Sequence, residues 1–165
     1  MAKKNKYIYM NKELQSIIRN LENVMYGQPW YGDAVMVMLR KIHPAVVYVN
    51  PKNSHAAIEI VYHMIAWMRF TVDAVNGTIA EGNVGEIPAN WRGIDPKIHT
   101  WNAALEELEQ IHKELVTVLQ TKDDALLSEK LPNREYNYRF LLNGLMQHNI
   151  YHLGQIAFLK NLLGE

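Results

Sequence analysis

The sequence predicts an all-α protein: an up-and-down four-helix bundle with a short extra helix and one long loop. Five stretches place apolar residues three and four positions apart, and almost nothing alternates between apolar and polar residues as a strand does. One connection, residues 78–99, is longer than the roughly 12–15 residues beyond which structureless loops become uncommon in compact domains. Four long helices with one long connection are typical of a helical bundle.

Length and composition narrow the possibilities further. The 165 residues and 19.1 kDa correspond to a single domain, which we expect to span residues 1–165. Hydrophobic residues make up 48% of the chain, enough to bury a core and to exclude a disordered protein. Lys plus Arg and Asp plus Glu are both 17, and this neutral balance argues against binding to nucleic acid or to an anionic membrane. The absence of cysteine excludes disulfides, a thiol nucleophile and thiolate metal sites.

The start of the sequence bears on the location of the protein. Lysines occur early, but no apolar stretch follows them, so we do not expect a signal peptide. Nothing in the chain approaches about 18 consecutive apolar residues, the length that a transmembrane helix needs. We therefore expect a cytoplasmic protein.

Capping and turn residues predict where the helices begin and end. The predicted helices are residues 11–26, 34–42, 54–77, 100–121 and 135–163. Asp33 and Ser54 are the expected N-caps of the second and third, because short polar side chains satisfy free N–H groups there. Gly77 and Gly164 are expected to end the third and fifth. Trp91, a large aromatic residue within the long loop, predicts that the loop packs over something.

The last predicted helix carries histidines where a bundle core normally has leucine. Seven positions spaced 4, 3, 4, 3, 4 and 3 form the predicted inward seam: Leu141, Leu145, His148, His152, Gln155, Leu159 and Leu162. His148 and His152 are one turn apart, so their rings project from the same face. Because buried polar groups need partners, either hydrogen bonds or one shared divalent cation must satisfy the two rings. Gly154 predicts the close approach of a neighbouring backbone or a ligand.

The helix at 54–77 adds His55, Glu59 and His63, spaced four apart on one stripe. His63 lies deep in an apolar segment, where it is either a hydrogen-bonded core residue or the third member of a three-histidine site. Glu59 could be a metal ligand, a partner that holds a histidine tautomer, or a solvated residue, and the sequence does not separate these. His55 lies near the predicted start of the helix, where it could be close to the surface.

Three other histidines are less directly placed. His112 falls on the seam of the 100–121 helix and is a candidate fourth ligand, although that apolar stripe is broad. His43 precedes a proline and His99 opens a helix, so we expect both to be surface or capping residues.

At these residues the chain resembles the DinB/YfiT-like family of small four-helix-bundle metalloproteins. YGQPWYGDAVMVML (residues 26–39) is similar to the family's Gly-x-x-Trp turn, and SHAAIEIVYHMIAW (residues 54–67) to its histidine-containing second helix. HNIYHLGQI (residues 148–156) is similar to the family's His-x-x-x-His-x-Gly-Gln-Ile ending. The resemblance implies that His63, His148 and His152 are metal ligands, that the metal is divalent, often zinc or nickel, and that the protein is a homodimer.

Relatives in the family include low-molecular-weight-thiol S-transferases, a mycothiol-dependent isomerase and hydrolases. Three histidine ligands leave a coordination position open, which is the catalytic pattern. We therefore expect a metal-dependent transferase or hydrolase that activates a small thiol or water against a small-molecule substrate, with Glu59 as the candidate general base. The alternative is a metal-binding bundle without turnover, acting as a sensor or stress-response interaction protein. An enzyme needs a pocket at the metal, walled by the Trp91 loop or by Trp30.

Overall fold

A computed structural model describes residues 12–52, 54–79, 90–132 and 134–164. These segments contain five α-helices: α1 (Lys12–Tyr26), α2 (Val35–Arg40), α3 (Ala57–Asn76), α4 (Trp101–Gln120) and α5 (Tyr138–Leu162). A 3₁₀ helix, Asp124–Ser128, connects α4 to α5. The described segments contain no β-strand, and an isolated antiparallel bridge joins Lys130 to Asn137. None of the helices in these segments is both long and apolar enough to cross a membrane.

Four of the helices surround one core. Helix α1 contacts α4 and α5, and α3 contacts the same two helices, so the four form a closed ring. Leucine, isoleucine, valine and methionine side chains supply most of the buried interior. The short α2 packs outside the ring against α1 and α5. The predicted all-α four-helix bundle with a short extra helix is therefore confirmed.

The predicted up-and-down order, in which each helix reverses the direction of the one before, is wrong, because α3 and α4 run the same way. Arg69 of α3 pairs with Glu114 of α4 at 2.6 Å. Tyr62 of α3 and Glu107 of α4 each lie seven residues before that pair, and both contact the loop residue Arg92. Its guanidinium is 4.2 Å from the ring centre of Tyr62 and 3.7 Å from the carboxylate of Glu107. Two parallel neighbours need a connection that returns along the bundle, and this explains why the segment between α3 and α4 is long.

Helix α5 runs antiparallel to α3. The Tyr138 hydroxyl, at the start of α5, donates a hydrogen bond to the Ala74 carbonyl near the end of α3, at 2.8 Å. Further along the same pair of helices, His63 of α3 faces His148 and His152 of α5. The groove between α3 and α5 therefore contains all three histidines that the sequence singled out as metal ligands.

Side-chain caps fix the starts of α4 and α5. The Thr100 hydroxyl oxygen accepts the backbone N–H of Ala103 at 3.2 Å, which confirms the predicted start of α4. The Asn137 side-chain oxygen accepts the backbone N–H of Phe140 at 3.0 Å. Helix α5 consequently begins later than the predicted residue 135, since the asparagine cap sets the boundary.

The predicted N-caps Asp33 and Ser54 were wrong. Asp33 instead accepts a hydrogen bond from the Lys41 ammonium at 2.6 Å, and no side chain caps α2. Helix α3 begins three residues after Ser54, because the Glu59 carboxylate accepts the backbone N–H of Ala56 at 2.7 Å. The Glu59 carboxylate, within the first turn, therefore caps the start of α3, a role that the sequence suggested for Ser54.

Glycines in the left-handed region mark the ends of α3 and α5. Gly77 follows the last residue of α3 with φ of 70°, and Gly164 lies just beyond α5 with φ of 77°. Only glycine adopts this conformation without a steric penalty from a Cβ atom. Both predicted endpoints are confirmed to within two residues.

The buried side of α5 is broader than the predicted seam and turned slightly away from it. The buried residues of this helix are Tyr138, Leu141, Leu142, Leu145, Met146, Asn149, His152, Leu153, Ile156 and Leu159. His148 and Gln155 are only partly buried, and Leu162, predicted to face inward, is 57% exposed. Apolar residues occupy much of the circumference of this helix, so periodicity alone does not centre its buried face. His148 therefore lies at the edge of the core, in the α3–α5 groove.

Candidate metal centre

Three imidazole rings converge in the groove between α3 and α5. The Nε2 atom of His148 lies 2.9 Å from Nε2 of His63 and 3.0 Å from Nε2 of His152. One ligand atom from each of the three residues lies within 4.8 Å of the others. The structure thus brings together the three histidines that the sequence analysis proposed as metal ligands, two from adjacent turns of α5 and one from α3.

Hydrogen bonds at the far side of two rings fix which nitrogen carries the proton. His63 Nδ1 lies 2.8 Å from the backbone carbonyl of Asn90, and His152 Nδ1 lies 2.6 Å from the side-chain oxygen of Gln155. Both oxygens can only accept, so Nδ1 of each ring is the donor. In the neutral rings the Nε2 atoms of His63 and His152 therefore present lone pairs toward His148.

Hydrogen bonds alone do not satisfy this arrangement. His148 Nε2 faces the lone pairs of both other rings, and a single proton on it can serve only one of them. Its Nδ1 atom is buried and has no hydrogen-bond partner within the described segments. One cation placed among the rings would accept a lone pair from all three Nε2 atoms. Three neutral imidazoles are also a donor set that suits zinc and nickel, so the residues fit a divalent metal.

The surroundings keep these rings uncharged. Burial, together with the neighbouring His152 and His63, lowers the pKa of His148 to about 3. Burial also lowers the pKa of His63, although the Asn90 carbonyl partly opposes the shift. It lowers the pKa of His152, and the hydrogen bond that His152 Nδ1 donates to the Gln155 side-chain oxygen opposes the shift. Near neutral pH all three rings are therefore in the deprotonated form that binds metal ions.

The loop residue Trp91 covers one side of the centre. Its indole ring stacks on His63, with ring centres 4.1 Å apart and planes 9° apart, and on His55, at 3.7 Å and 8°. Two imidazoles stacked this closely on the same face of the indole would overlap each other. His55 and His63 therefore lie on opposite faces, with the indole between them. The predicted packing of this loop is confirmed at Trp91. Trp30, the other proposed wall, is fully exposed and borders the α1–α5 groove, away from the three rings.

His55 and Glu59 do not join the convergent rings. The Glu59 carboxylate accepts the N–H of Ala56 at the start of α3 and lies 3.7 Å from Nδ1 of His55. His55 contacts the centre indirectly, through the indole of Trp91. The structure gives Glu59 a capping role, and its function as a general base stays a prediction.

His112, the candidate fourth ligand, lies in the interface between α4 and α1. It is 1% exposed, its Nε2 atom is 3.4 Å from the Glu22 carboxylate, and its ring meets the edge of Tyr26. That distance allows an ionic attraction, but neither ring nitrogen makes a hydrogen bond to the part of the chain that is described. Burial lowers the pKa of His112, and the negative charge of Glu22 opposes the shift. It is a buried core histidine apart from the three converging rings.

His43 and His99 have local structural roles, as predicted. The ring Nδ1 of His43 accepts the N–H of Ala45 at 3.2 Å, and that of His99 accepts the N–H of Asp95 at 2.9 Å. Both bonds tie a turn together close to the histidine itself.

Two supporting groups were not assigned from the sequence. Gln155 carried a signal, since it sits on the seam three residues after His152, where its amide reaches that ring. Asn90 carried none, because its backbone carbonyl rather than its side chain holds His63. Any residue type offers that carbonyl, and the long connection hides which one arrives at the site.

Two cavities open in the α3–α5 groove on either side of the three rings. The first, here the His148 cavity, measures about 320 Å³ and is lined by Trp67 and Thr71 of α3 and by the α5 segment from Phe140 to His148. The second, the Gln155 cavity, measures about 530 Å³ and has more polar walls that include His55, Tyr151 and Gln155. Gly154 lines the second cavity. No described atom lies within 4 Å of where its Cβ would be, so of the two predicted neighbours no described backbone approaches it, and a ligand stays a prediction.

Comparison with known proteins places this geometry in a family. The DinB superfamily profile matches residues 34–156, which include all three converging histidines and both helices that carry them. The chain belongs to the DinB superfamily. No curated protein is significantly similar to it. That one domain spans residues 1–165 stays a prediction, because the match covers only part of that range.

Removing the Gln155 amide should weaken metal binding without removing a ligand. Gln155→Ala takes away the acceptor that orients His152, and losing such a supporting group typically raises the metal dissociation constant about 10–100-fold. Zinc titration calorimetry of the metal-free protein measures the change. Gln147→Ala, at an exposed position of the same helix, is the matched control and should bind zinc like the wild type. Equal affinity of Gln155→Ala and wild type would remove Gln155 from the site.

Proposed function

We propose that this protein is a metal-dependent enzyme, a thiol S-transferase or a hydrolase, in which His63, His148 and His152 hold one divalent cation, zinc or nickel. When bound, such a cation supplies a Lewis acid that lowers the pKa of a coordinated water or thiol. The substrate is a small molecule with an electrophilic group, which the activated water or thiol attacks. The convergence of the three Nε2 atoms supports the metal site.

The chain's own residues position and shield the reacting groups. Asn90 and Gln155 hold two of the imidazoles with their Nε2 lone pairs pointing inward. The Trp91 indole covers one face of His63 and keeps water from that side. Because the chain has no cysteine, it supplies no thiolate of its own. A thiol nucleophile would have to arrive as a small molecule.

The observation that favours an enzyme over a sealed metal-binding protein is the cavity at His148. A purely structural site is normally closed by protein ligands. Here the ring of His148 is only partly buried, and it forms part of the wall of a cavity of about 320 Å³. A small molecule in that cavity would lie directly against one of the three converging rings.

Two measurements test the proposal. The metal content of tag-free protein should be about one divalent ion per chain. Conjugation of cysteine to 1-chloro-2,4-dinitrobenzene, with hydrolysis of 4-nitrophenyl acetate in parallel, should be faster with the metal-loaded protein than with chelator-treated protein. Equal rates with and without metal would contradict the mechanism. Full metal loading without turnover of thiols or esters would favour the non-catalytic metal-binding alternative.

We also propose that the protein forms a homodimer through the exposed face of α5 near its end. Phe158 and Leu162 are 65% and 57% exposed there, one turn apart. Exposed apolar side chains grouped on one helix face typically mark an interface. Light scattering should give about twice the chain mass of 19.1 kDa.

Charge placed on this face should separate the two copies. The double variant Phe158→Glu and Leu162→Glu should scatter as a monomer, because an isologous contact would bring the added charges together. Ile98→Glu is the control, since Ile98 is 70% exposed but lies outside α5. A wild-type mass of one chain at micromolar concentration would contradict the dimer.

A further inference from the structure

The His148 cavity has walls of a single chemical character. Trp67 contributes from α3, and Phe140, Leu141 and Leu145 contribute from α5. The hydroxyl of Thr71, which also lines it, already donates to the carbonyl of Trp67 at 2.9 Å. Apart from the Tyr136 hydroxyl and the buried indole N–H of Trp67, the wall therefore offers apolar and aromatic surface, with the His148 ring at one end.

Gly144 holds this cavity open. It lies one turn before His148 on α5, and no described atom is within 4 Å of where its Cβ would be. Glycine inside a helix costs roughly 1 kcal/mol relative to alanine, and no close contact in the described structure requires it here. Any larger side chain at this position would project into the cavity.

We infer that the His148 cavity binds the apolar part of the substrate, and that the substrate is an electrophile carrying an aryl or branched-alkyl group of about benzyl size. The inference rests on the proposed function only in placing the reacting group beside His148. The volume of about 320 Å³ suits such a group, because a dry cavity of about 150 Å³ already holds benzene. Phe140, 64% exposed, would be covered by the bound ring.

The Gln155 cavity supplies an internal comparison. Gly154 leaves it open in the same way as Gly144 leaves the His148 cavity open, with no described atom within 4 Å of the Cβ position. Its walls carry the polar side chains of Ser54, His55 and Gln155. Gly144→Leu and Gly154→Leu therefore add the same side chain to the same helix. The two variants differ only in which cavity the leucine fills.

Binding of 4-fluorobenzyl alcohol, followed by fluorine NMR on metal-loaded protein, tests the inference. Wild-type protein should bind this probe, and glycerol should not compete with it. Gly144→Leu should weaken binding by at least about tenfold, equivalent to 1.4 kcal/mol, while Gly154→Leu should bind like the wild type. Gly144→Ala should give an intermediate loss, and it keeps the test valid if the leucine variant folds poorly, since alanine favours the helix.

The outcomes separate this inference from the proposed function. Undiminished binding to Gly144→Leu, or equal losses in Gly144→Leu and Gly154→Leu, would overturn the inference even if one metal is bound per chain. Absence of metal would overturn the proposed function, yet selective loss of the probe in Gly144→Leu would still support an apolar site. Metal content and helical circular dichroism of each variant are measured alongside.

Discussion

Replacing His148 with alanine should abolish metal binding and leave the helical fold intact. His148 Nε2 lies within 3.0 Å of both other Nε2 atoms, so its loss removes the ring that links His63 and His152. The remaining two imidazoles would form an incomplete site. The fold should change little, because His148 is only partly buried and alanine is the best helix former. Bound metal after dialysis should fall from about one ion per chain to less than about a tenth of that.

His112→Leu is the control for that experiment. It also removes a helical histidine, but one that lies in the α1–α4 interface, and leucine has a similar volume. Metal content and any thiol-transfer or esterase activity should be unchanged, whereas His148→Ala should lose both. A His148→Ala protein that keeps metal at the wild-type level would end the three-histidine assignment, and so would thiol transfer that survives at the wild-type rate without metal.

The metal-free protein should lose stability as the pH falls below about 6.5. Burial lowers the pKa of His63, His112, His148 and His152, so below the ordinary pKa of 6.5 the unfolded chain binds more protons than the folded one. Stability is therefore complete above pH 6.5 and declines toward the folded-state pKa values. For His148, the drop in pKa from 6.5 to about 3 corresponds to roughly 4–5 kcal/mol at acid pH. Most domains have only about 5–15 kcal/mol in total.

Urea unfolding of chelator-treated protein between pH 7.5 and 4.5 measures this decline. His112→Leu should make the decline shallower by up to about 1.4 kcal/mol per pH unit, because one titrating group has been removed. A free energy of unfolding that stays constant over this range would show that the four rings are not held neutral. If the free energy of unfolding of His112→Leu falls with pH as steeply as that of the wild type, His112 is not held neutral in the folded protein.

The sequence predicted the three converging histidines because their positions follow from helical geometry. His148 and His152 must share a face at four-residue spacing, and His63 lies within a helix that is apolar over most of its surface. The same reasoning did not place His112, because its helix has a broad apolar stripe and the seam position faces α1 rather than the site. Periodicity gives the angle of a residue around its helix, and the neighbour it meets depends on how the helices are arranged.

That arrangement was the part of the fold that could not be predicted. The long connection was visible in the sequence, but not that it lets α3 and α4 run parallel, as the Arg69–Glu114 pair shows. Nor did the sequence show that Asn90 and Trp91, near the middle of this connection, would reach His63. Contacts from a returning segment depend on its path through space, which local propensity does not encode.

The position of His63 relative to His148, 85 residues apart in sequence, has a consequence for the chain as a whole. A cation shared by these residues would fasten α3 to α5 in a protein that has no cysteine for a disulfide. Unlike a disulfide, such a cross-link exists only in the folded state, because the unfolded chain does not hold the two residues together. Its strength would vary with the free ion, reaching about 2.7 kcal/mol at a hundred times the dissociation constant. The supply of metal would then govern how long the folded protein persists, independently of any reaction that it catalyses.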